Sequence, residues 1–348
     1  MKQYQTVSGF TLKIGSNVFK DTDINGLVSL SVEDNVDMAS TCQITIHLTG
    51  KSRMNSFSVG DLVSVCLRTT NELFSGDVTS VQYSFQLKTA SRIVLQCVDA
   101  SHRLAHATKS RHWNDMKDSD VASEVGAESG LDVRADDTSE VHKYILQRNE
   151  TNISLLKRLA GRNNFQIRVE PSASAGGKAT LLFQKSATSG QARKITREDG
   201  LLSFNISQNT ANLVPEVIVR GWDINAKKEI VGTCKGSEVT KIGRGALGVE
   251  QAQVFANEPR NVTDVPVRTQ GLANEIAKAE MERIARQFIR GTCSIVGDDS
   301  VRAGTMIDVD GMDEGVNGPY YVVSTKHVLS PGTGYKTNIS FCSNTKGS

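Results

Sequence analysis

Alternating apolar and polar positions fill the first hundred residues, give way to a mixed stretch, and return at the end of the chain. The runs FTLKIG, LVSLSVED, STCQITIHL, DLVSVCLR, DVTSVQYSF and SRIVLQCVD, separated by Gly, Asn, Asp and Ser, predict strands. In the last of these Ile93, Leu95 and Cys97 share one side, and Val94, Gln96 and Val98 the other, which gives a core face and a wetter face. From residue 101 the texture changes. A short helical turn is expected at 102–107, then a helix from Ser119 to Ser129 with Asp118 or Ser119 as cap and Gly130 as stop. VHKYILQ reads as a strand, and NETNISLLKRLAGR as a helix capped by Thr151 or Asn152, with Ile153, Leu156, Leu159 and Ala160 on one side. FQIRVE and TLLFQK form a hairpin across the flexible SASAGGKA segment. β-structure resumes with LLSFNIS and PEVIVRGWD and crosses a Gly-rich, Pro-flanked stretch at 232–266. A helix is expected next, over 269–289. Ala273, Ala277, Met281, Ile284 and Phe288 form its narrow apolar stripe, Glu282 and Arg286 an i,i+4 pair, and Gly291 its stop.

The last 50 residues restate the strands between 57 and 98. VGDLVSV at 59–65 aligns with AGTMIDV at 303–309, DVTSVQ at 77–82 with VVSTKH at 322–327, and RIVLQC at 92–97 with KTNISF at 336–341, at offsets of 244, 245 and 244. A spacing kept through three strands and their turns points to two copies of one β-domain. The fold class expected is mainly β, with two duplicated β-barrel domains and an inserted α/β domain. The first barrel domain is placed at 1–101 and the inserted domain at 102–190. The remainder, 191–348, holds the connecting strands, the Gly-rich loop, helix 269–289 and the second barrel domain. Such a duplication lets an assembly of odd symmetry present an even-fold ring.

Composition narrows the function classes. At 348 residues the chain can hold two or three domains. With 40 Lys and Arg against 38 Asp and Glu it lacks the basic stripe of a dedicated nucleic-acid binder. Aromatic content of 5% with 29 glycines suits short strands and turns better than an aromatic-lined pocket. MKQYQTVSGF carries no apolar signal core, and no stretch approaches the roughly 18 apolar residues of a membrane helix, so synthesis in the cytoplasm as a soluble protein is expected. Six cysteines at 42, 66, 97, 234, 293 and 342 form no CxxC, and reduced, mostly strand-buried thiols are expected.

The motifs that could carry chemistry have simpler readings. Gly243, Gly245 and Gly248 match GxGxxG, but the adjoining GVEQAQVFANEP has weak helical character and soon reaches Pro259, so a mobile glycine loop is expected rather than a dinucleotide site. His102, His106 and His112 come after Cys97 without an acidic or second thiol partner at ligand spacing, and no metal is expected. Glu150 and Asp199 are the carboxylates a glycosidase reading would use, yet they sit at helix-start and turn positions. No GxSxG, HExxH or Walker loop is present. KSRHWNDMKD surrounds Trp113 with bases but also holds aspartates, so it reads as a solvated connection with Trp113 packed on the inserted domain. No catalytic, cofactor-binding or metal-ligating residue is assigned.

The segment 74–184 has a recognisable order: FSGDVTSVQ, RIVLQCVDASHRLAH, YILQRNETNISLLKRLAGRNNFQIRVE and TLLFQ. It resembles the late control protein D family of tailed phages, the baseplate hubs of contractile tails, and the amino-terminal hub part of type VI secretion spike proteins. QRNETNISLLKRLA is its most specific piece. RAGTMIDVDG and PYYVVSTKHVLSPGTGYKTNISF are similar to the family's carboxy-terminal barrel. The resemblance covers about 57–342 and is weakest at 236–266. It implies a homotrimer whose chains each supply two domains resembling a tail-tube subunit, offering a pseudo-sixfold ring to a hexameric tube or tube-initiator protein above and a threefold spike below, among other baseplate proteins. Since type VI spike proteins continue into further domains and this sequence ends at Ser348, the spike is expected on a separate polypeptide. The assembly would be completed in a phage tail or tail-like injection particle. The competing reading is a tail-associated peptidoglycan hydrolase, which needs paired carboxylates in a cleft. A third, a carbohydrate-binding virion protein, fits poorly with so few aromatic residues.

Overall fold

The computed structural model describes residues 10–20, 26–48, 57–68, 72–85, 90–172, 177–186, 191–198, 200–252 and 258–347. Seven strands come first: β1 (Thr11–Ile14), β2 (Asn17–Lys20), β3 (Leu27–Asn35), β4 (Thr41–His47), β5 (Leu62–Cys66), β6 (Glu72–Ser84) and β7 (Arg92–Asp99). A mixed segment comes next, with α1 (His102–Ala105), β8 (Lys109–Trp113), β9 (Met116–Lys117), α2 (Asp118–Glu128), β10 (Asp132–Ala135), β11 (Val141–His142), β12 (Ile145–Glu150), α3 (Asn152–Arg162), β13 (Phe165–Glu170) and β14 (Thr180–Lys185). The rest comprises β15 (Arg193–Thr196), β16 (Leu201–Gln208), β17 (Glu216–Asp223), β18 (Lys228–Lys235), α4 (Gly248–Ala252), β19 (Arg260–Val262), α5 (Gln270–Ala285), β20 (Ile289–Val296), β21 (Met306–Asp310), β22 (Gly318–Ser330) and β23 (Gly334–Ser343). The fold is mainly β.

One large sheet runs through both ends of the chain in the order β16-β20-β23-β22-β3-β4-β7-β6-β5-β1-β2, with β21 against β22 and β15 on β21. Five of its strands occur twice. In the first set Val78 faces Cys97 and Ser80 faces Gln96 across a bulge at Thr79. In the second, Val322 faces Phe341 and Ser324 faces Ser340 across a bulge at Val323. Leu62 opposite Asp77 recurs as Met306 opposite Tyr321. The offset is 244 throughout, so the middle strand lies one residue away from the 245 read from sequence. The match extends to two strands that sequence did not pair: the β3–β4 bulge between Leu27 and Ser29, opposite Ile46 and Thr45, reappears between Leu201 and Ser203 of β16, opposite Ile295 and Ser294 of β20. A bulge adds one residue to a strand and bends it. Here it lets the 13-residue β22 serve one partner before the bend, β21, and another after it, β3.

Each set buries the side the alternation predicts. Leu12, Ile44, Val65, Phe74, Ile93 and Leu95 fill the first core, which also takes Leu329 and Tyr335 from the second set. The second core places Cys293, Ile339 and Phe341 against α5 and the β17–β18 hairpin. Contact between helix and hairpin is close enough that a Cβ on Gly232 would lie 2.4 Å from the backbone of Ala273. Thr269 caps α5 by accepting from the Leu272 N–H at 3.2 Å. The helix is shorter than the expected 269–289: Arg286 is its C-cap, and Phe288 leads into β20. Gly291 lies inside β20, where a Cβ would meet the Phe341 ring at 2.3 Å, so it marks close packing and not a helix stop. The expected Glu282–Arg286 pair is also replaced. Glu282 accepts from the Thr240 N–H at 2.8 Å, while Arg286 donates to Ser186 and lies over the Tyr321 ring.

The mixed segment has its own core, built from Trp113, Val121, Val125, Leu155, Leu159, Phe165 and Phe183 among others. Thr151 caps α3, accepting from Ser154 N–H at 3.2 Å, and Gly130 ends α2 at φ 77°. Asp118 is not the cap of α2. It is the first helical residue, fully buried, and binds Arg162 through two hydrogen bonds and Asn163 at 2.7 Å. VHKYILQ is two strands, β11 and β12, interrupted at Lys143–Tyr144. Part of SASAGGKA lies outside the described residues, as does Asp199.

Equivalent strands should tolerate charge equally badly. Leu95 is 0% and Ile339 1% exposed, so Leu95→Asp and Ile339→Asp should each destabilise by about 3 kcal/mol or more, from an unpaired buried charge. Chemical denaturation or loss of soluble protein measures this; normal stability of either variant would contradict the register.

Candidate functional site: the sheet seam

The functional geometry lies along the line where the two strand sets meet. β22 and β3 run antiparallel, from Ser324 opposite Asn35 to Leu329 opposite Leu30, and the Val36 N–H continues the ladder to Val323 O at 3.1 Å. Pairing of this kind removes two sheet edges at once. A polar cluster closes one end. Asp34, 2% exposed, accepts from Arg302 Nε at 3.0 Å, Ala303 N at 3.3 Å and Ser40 Oγ at 3.0 Å. Burial pushes this carboxyl up, but Arg302, Arg168 and the hydrogen bonds outweigh it and hold the group below its ordinary value. Asp34 is therefore a charged anchor. At the surface of the same seam Lys326 faces Glu33 at 3.7 Å.

The mixed segment clamps the seam from outside. Ile167 of β13 accepts from the Asp37 N–H at 3.1 Å and donates its own N–H to the Asp37 carboxylate at 2.8 Å. Arg168 donates to Ala303 O, and the Tyr321 hydroxyl to Gln166. One short strand thus holds residues of both sets. Beside it, a cleft of about 830 Å³ is lined by Asp37, Gln166, Asn205, Arg286, Arg290 and Tyr321.

The sequence candidates for chemistry are spread apart and engaged structurally. Glu150 accepts from Arg158 at 2.7 Å. His102 shares a hydrogen bond with Asp99 O at 2.9 Å and lies edge-on to His106, whereas His112 stacks on Tyr144. Among the described residues no group of three or more His, Cys, Asp or Glu is placed to hold a metal. The glycine loop is packed, contrary to the mobility expected. A Cβ on Gly243 would strike Thr345 Oγ1 at 2.4 Å, one on Gly245 the Lys346 carbonyl at 2.2 Å, and one on Gly248 the Phe288 ring at 2.0 Å. Its backbone is bonded to the C-terminal segment through Gly248 N to Asn344 O and Lys346 N to Ala246 O. These glycines permit close approach of chain to chain. Trp113 packs in the mixed segment's core, donates to Glu124 at 2.9 Å and lies under Arg111, which itself binds Glu128. None of the six cysteines is joined in a disulfide, and five are buried while Cys66 is half-buried. No helix among the described residues is long and apolar enough to cross a membrane.

A family model described as the Alg8 N-terminal domain matches residues 6–331. The chain belongs to that family. Solved structures extend the comparison. The 43 kDa tail protein of prophage MuSo2 from Shewanella oneidensis superposes with a TM-score of 0.71 over 95% of this chain and 97% of its own, at 13% identity. A tail protein from Neisseria meningitidis MC58 gives 0.72 over 96% of both chains, also at 13% identity. The E. coli c3393 protein, described as a component of the type VI secretion system with structural similarity to T4 bacteriophage tail proteins gp27 and gp5, gives 0.64 over 95% of this chain and 76% of its own, at 10% identity. No curated protein matches the sequence. At these identities the likeness establishes a fold shared with phage tail and type VI secretion proteins.

Sequence reasoning missed Asp34 and Arg302, which meet across 268 positions of the chain, and His327, which lies opposite Val32 of β3. His327 is fully buried beside the seam, with Nδ1 2.8 Å from the Tyr335 hydroxyl and 3.1 Å from Thr337 Oγ1. Burial pushes its imidazole down to about 4, Arg302 adds to that, and Asp34 and Asp298 oppose it. Between the ordinary value of 6.5 and about 4 the unfolded chain takes up a proton that the folded chain refuses. The contribution of neutral His327 is therefore present above that window and lost as pH falls through it, on the order of 3 kcal/mol in full. Denaturation midpoints at pH 7 and pH 4.5 should fall further in the parent than in His327→Gln; equal losses would contradict this assignment.

Proposed function

We propose that this chain is the structural hub of a contractile tail or tail-like injection particle, adapting a sixfold tube to a threefold spike as a homotrimer. The observation that carries this reading is the repeated five-strand unit, joined to its own second copy edge to edge within one chain. Three such chains joined head to tail supply six similar units, so a ring with threefold chemistry presents a sixfold face. Its wall is made by closing strand edges and requires no catalytic group. The tail-protein fold and the resemblance to the late control protein D family support the same reading. In it the first barrel domain spans 1–101, the inserted α/β domain 102–190 and the second barrel domain lies within 191–348, with hexameric tube or tube-initiator proteins above, a trimeric spike below and other baseplate proteins around the inserted domain. In this reading the chain is made in the bacterial cytoplasm and assembled into the baseplate of a phage tail or tail-like particle.

Two measurements test this. Reconstruction of the assembled particle should show three copies per hub; six copies would overturn the reading. Glu150→Gln separates it from a hydrolase. Loss of the half-exposed pair with Arg158 should cost about 1 kcal/mol or less, leaving particle number and injection near normal. A general acid at this position would instead lose roughly a hundredfold or more in cell-wall cleavage with folding unchanged, which a wall-degradation assay on the particles detects.

A further inference from the structure

The cleft of about 830 Å³ beside the seam contains arginines that the chain itself leaves without a counter-charge. Its floor is the outward face of the second strand set. Across that face Ser207 of β16 lies opposite Arg290 of β20, Arg290 opposite Cys342 of β23, and Cys342 opposite Tyr321 of β22. The next row on the same face is Asn205, Thr292 and Ser340. Side chains alternate between the two sides of a sheet, so these rows point away from the second core, which takes Cys293, Ile339 and Phe341. One wall is the end of α5, with Arg283, Arg286 and Gln287. The other is β13 and the turn before it, with Asn164, Phe165 and Gln166.

Charge in the cleft is unbalanced. Three arginines line it against two carboxylates, Asp37 and Glu280, and both carboxylates are engaged. Asp37 accepts from the Ile167 N–H at 2.8 Å, and Glu280 is shared by Arg283 at 2.6 Å and Arg260 at 3.0 Å. Arg286 and Arg290 form no ion pair among the described residues. Arg286 donates to Ser186 Oγ at 3.1 Å and lies 5.4 Å from the centre of the Tyr321 ring, but its Nε is buried without a hydrogen-bond partner. Glu282, one helical turn back, is turned to the Thr240 N–H instead. Arg290 stands exposed on the floor. Burial pushes the Cys342 thiol up to about 11, while Arg286 and Arg290 both pull it down, so the two charges converge on one thiol in the cleft floor.

A partly buried guanidinium with an unmet donor is costly unless something supplies its acceptor. A carboxylate does this best, because its two oxygens match the arginine fork side-on through Nε and Nη. With its guanidinium turned from Ser186, Arg286 would give the unmet Nε such an acceptor, and Arg290 would add a second charge. The rest of the cleft suits a peptide. Val36, Phe165, Ile206 and Val323 supply apolar contact, and the amides of Asn164, Gln166 and Asn205 supply both donors and acceptors for a backbone. The volume is in the range that encloses a ligand of a few residues. We propose that the cleft receives a short, largely apolar peptide segment of a partner protein, anchored by one Asp or Glu carboxylate held between Arg286 and Arg290. This goes beyond the hub reading and does not depend on the number of copies in the particle.

The test offers the purified, immobilised chain two pools of acetylated, amidated octapeptides, with one central Asp or one central Asn among random apolar and neutral residues. The Asp pool should be retained at least tenfold better than the Asn pool, and Arg286→Gln and Arg290→Gln should each remove the difference. Arg290 and Thr292 are exposed on the floor, so changes there should leave the unfolding midpoint near that of the parent. Thr292→Trp, which keeps every charge and fills the cleft, should cut retention of the Asp pool at least tenfold. Equal retention of the two pools, no retention of either, or a preference for Asp that survives in Arg290→Gln or Thr292→Trp overturns the proposal. Copy number per hub is measured separately, so a six-copy hub would overturn the reading of the particle and leave this site standing.

Discussion

An unpaired strand edge beside apolar side chains does not remain solitary in water, and this constraint organises the molecule. Between the two strand sets the edge of β3 is covered by the far half of β22, which the bulge at Val323 turns away from β21. The seam then gathers what it needs: Asp34 neutralised by Arg302, Leu329 delivered to the first core, and β13 holding both sides through Asp37 and Gln166. A charged residue is acceptable at such a place only because each oxygen has a partner. The mixed segment, whose core is separate, acts on the seam as a clamp.

The alternation of small and apolar residues made the strands legible, and the repeat of β5, β6 and β7 as β21, β22 and β23 could be read because the connections within both triplets are similar in length. The correspondence of β3 and β4 with β16 and β20 was hidden. The first pair is joined by residues 36–40, the second by 209–288, which hold β17, β18, β19, α4 and α5. No single offset survives such an insertion. The one-residue error in the middle strand has an equally local cause, since a bulge looks like any other residue in sequence. Length of α5 was overestimated because Phe288 continues the helical stripe while belonging to the approach to β20.

The apparent functional motifs failed for a physical reason of a different kind. Gly243, Gly245 and Gly248 meet the requirement for missing side chains, but the atoms that approach them are Thr345, Lys346 and Phe288 of the chain itself. Glu150 and the basic run around Trp113 are absorbed in ion pairs within the mixed segment. Asp34, Arg302 and His327 carry no local signature at all. Their importance comes from burial at a junction between segments nearly 300 residues apart, which sequence periodicity does not encode.

Placed beside tail and type VI secretion proteins of the same fold, the chain carries both copies of its repeated unit in one sheet and covers the edge where they meet. The central claim is that this seam joins the two copies into one continuous sheet. Amide hydrogen exchange of the chain addresses it directly. The amides of Ser324–Leu329 and Leu30–Asn35 should exchange as slowly as those of the core strands β7 and β23. Fast exchange of both seam segments, with β7 and β23 slow, would contradict the account.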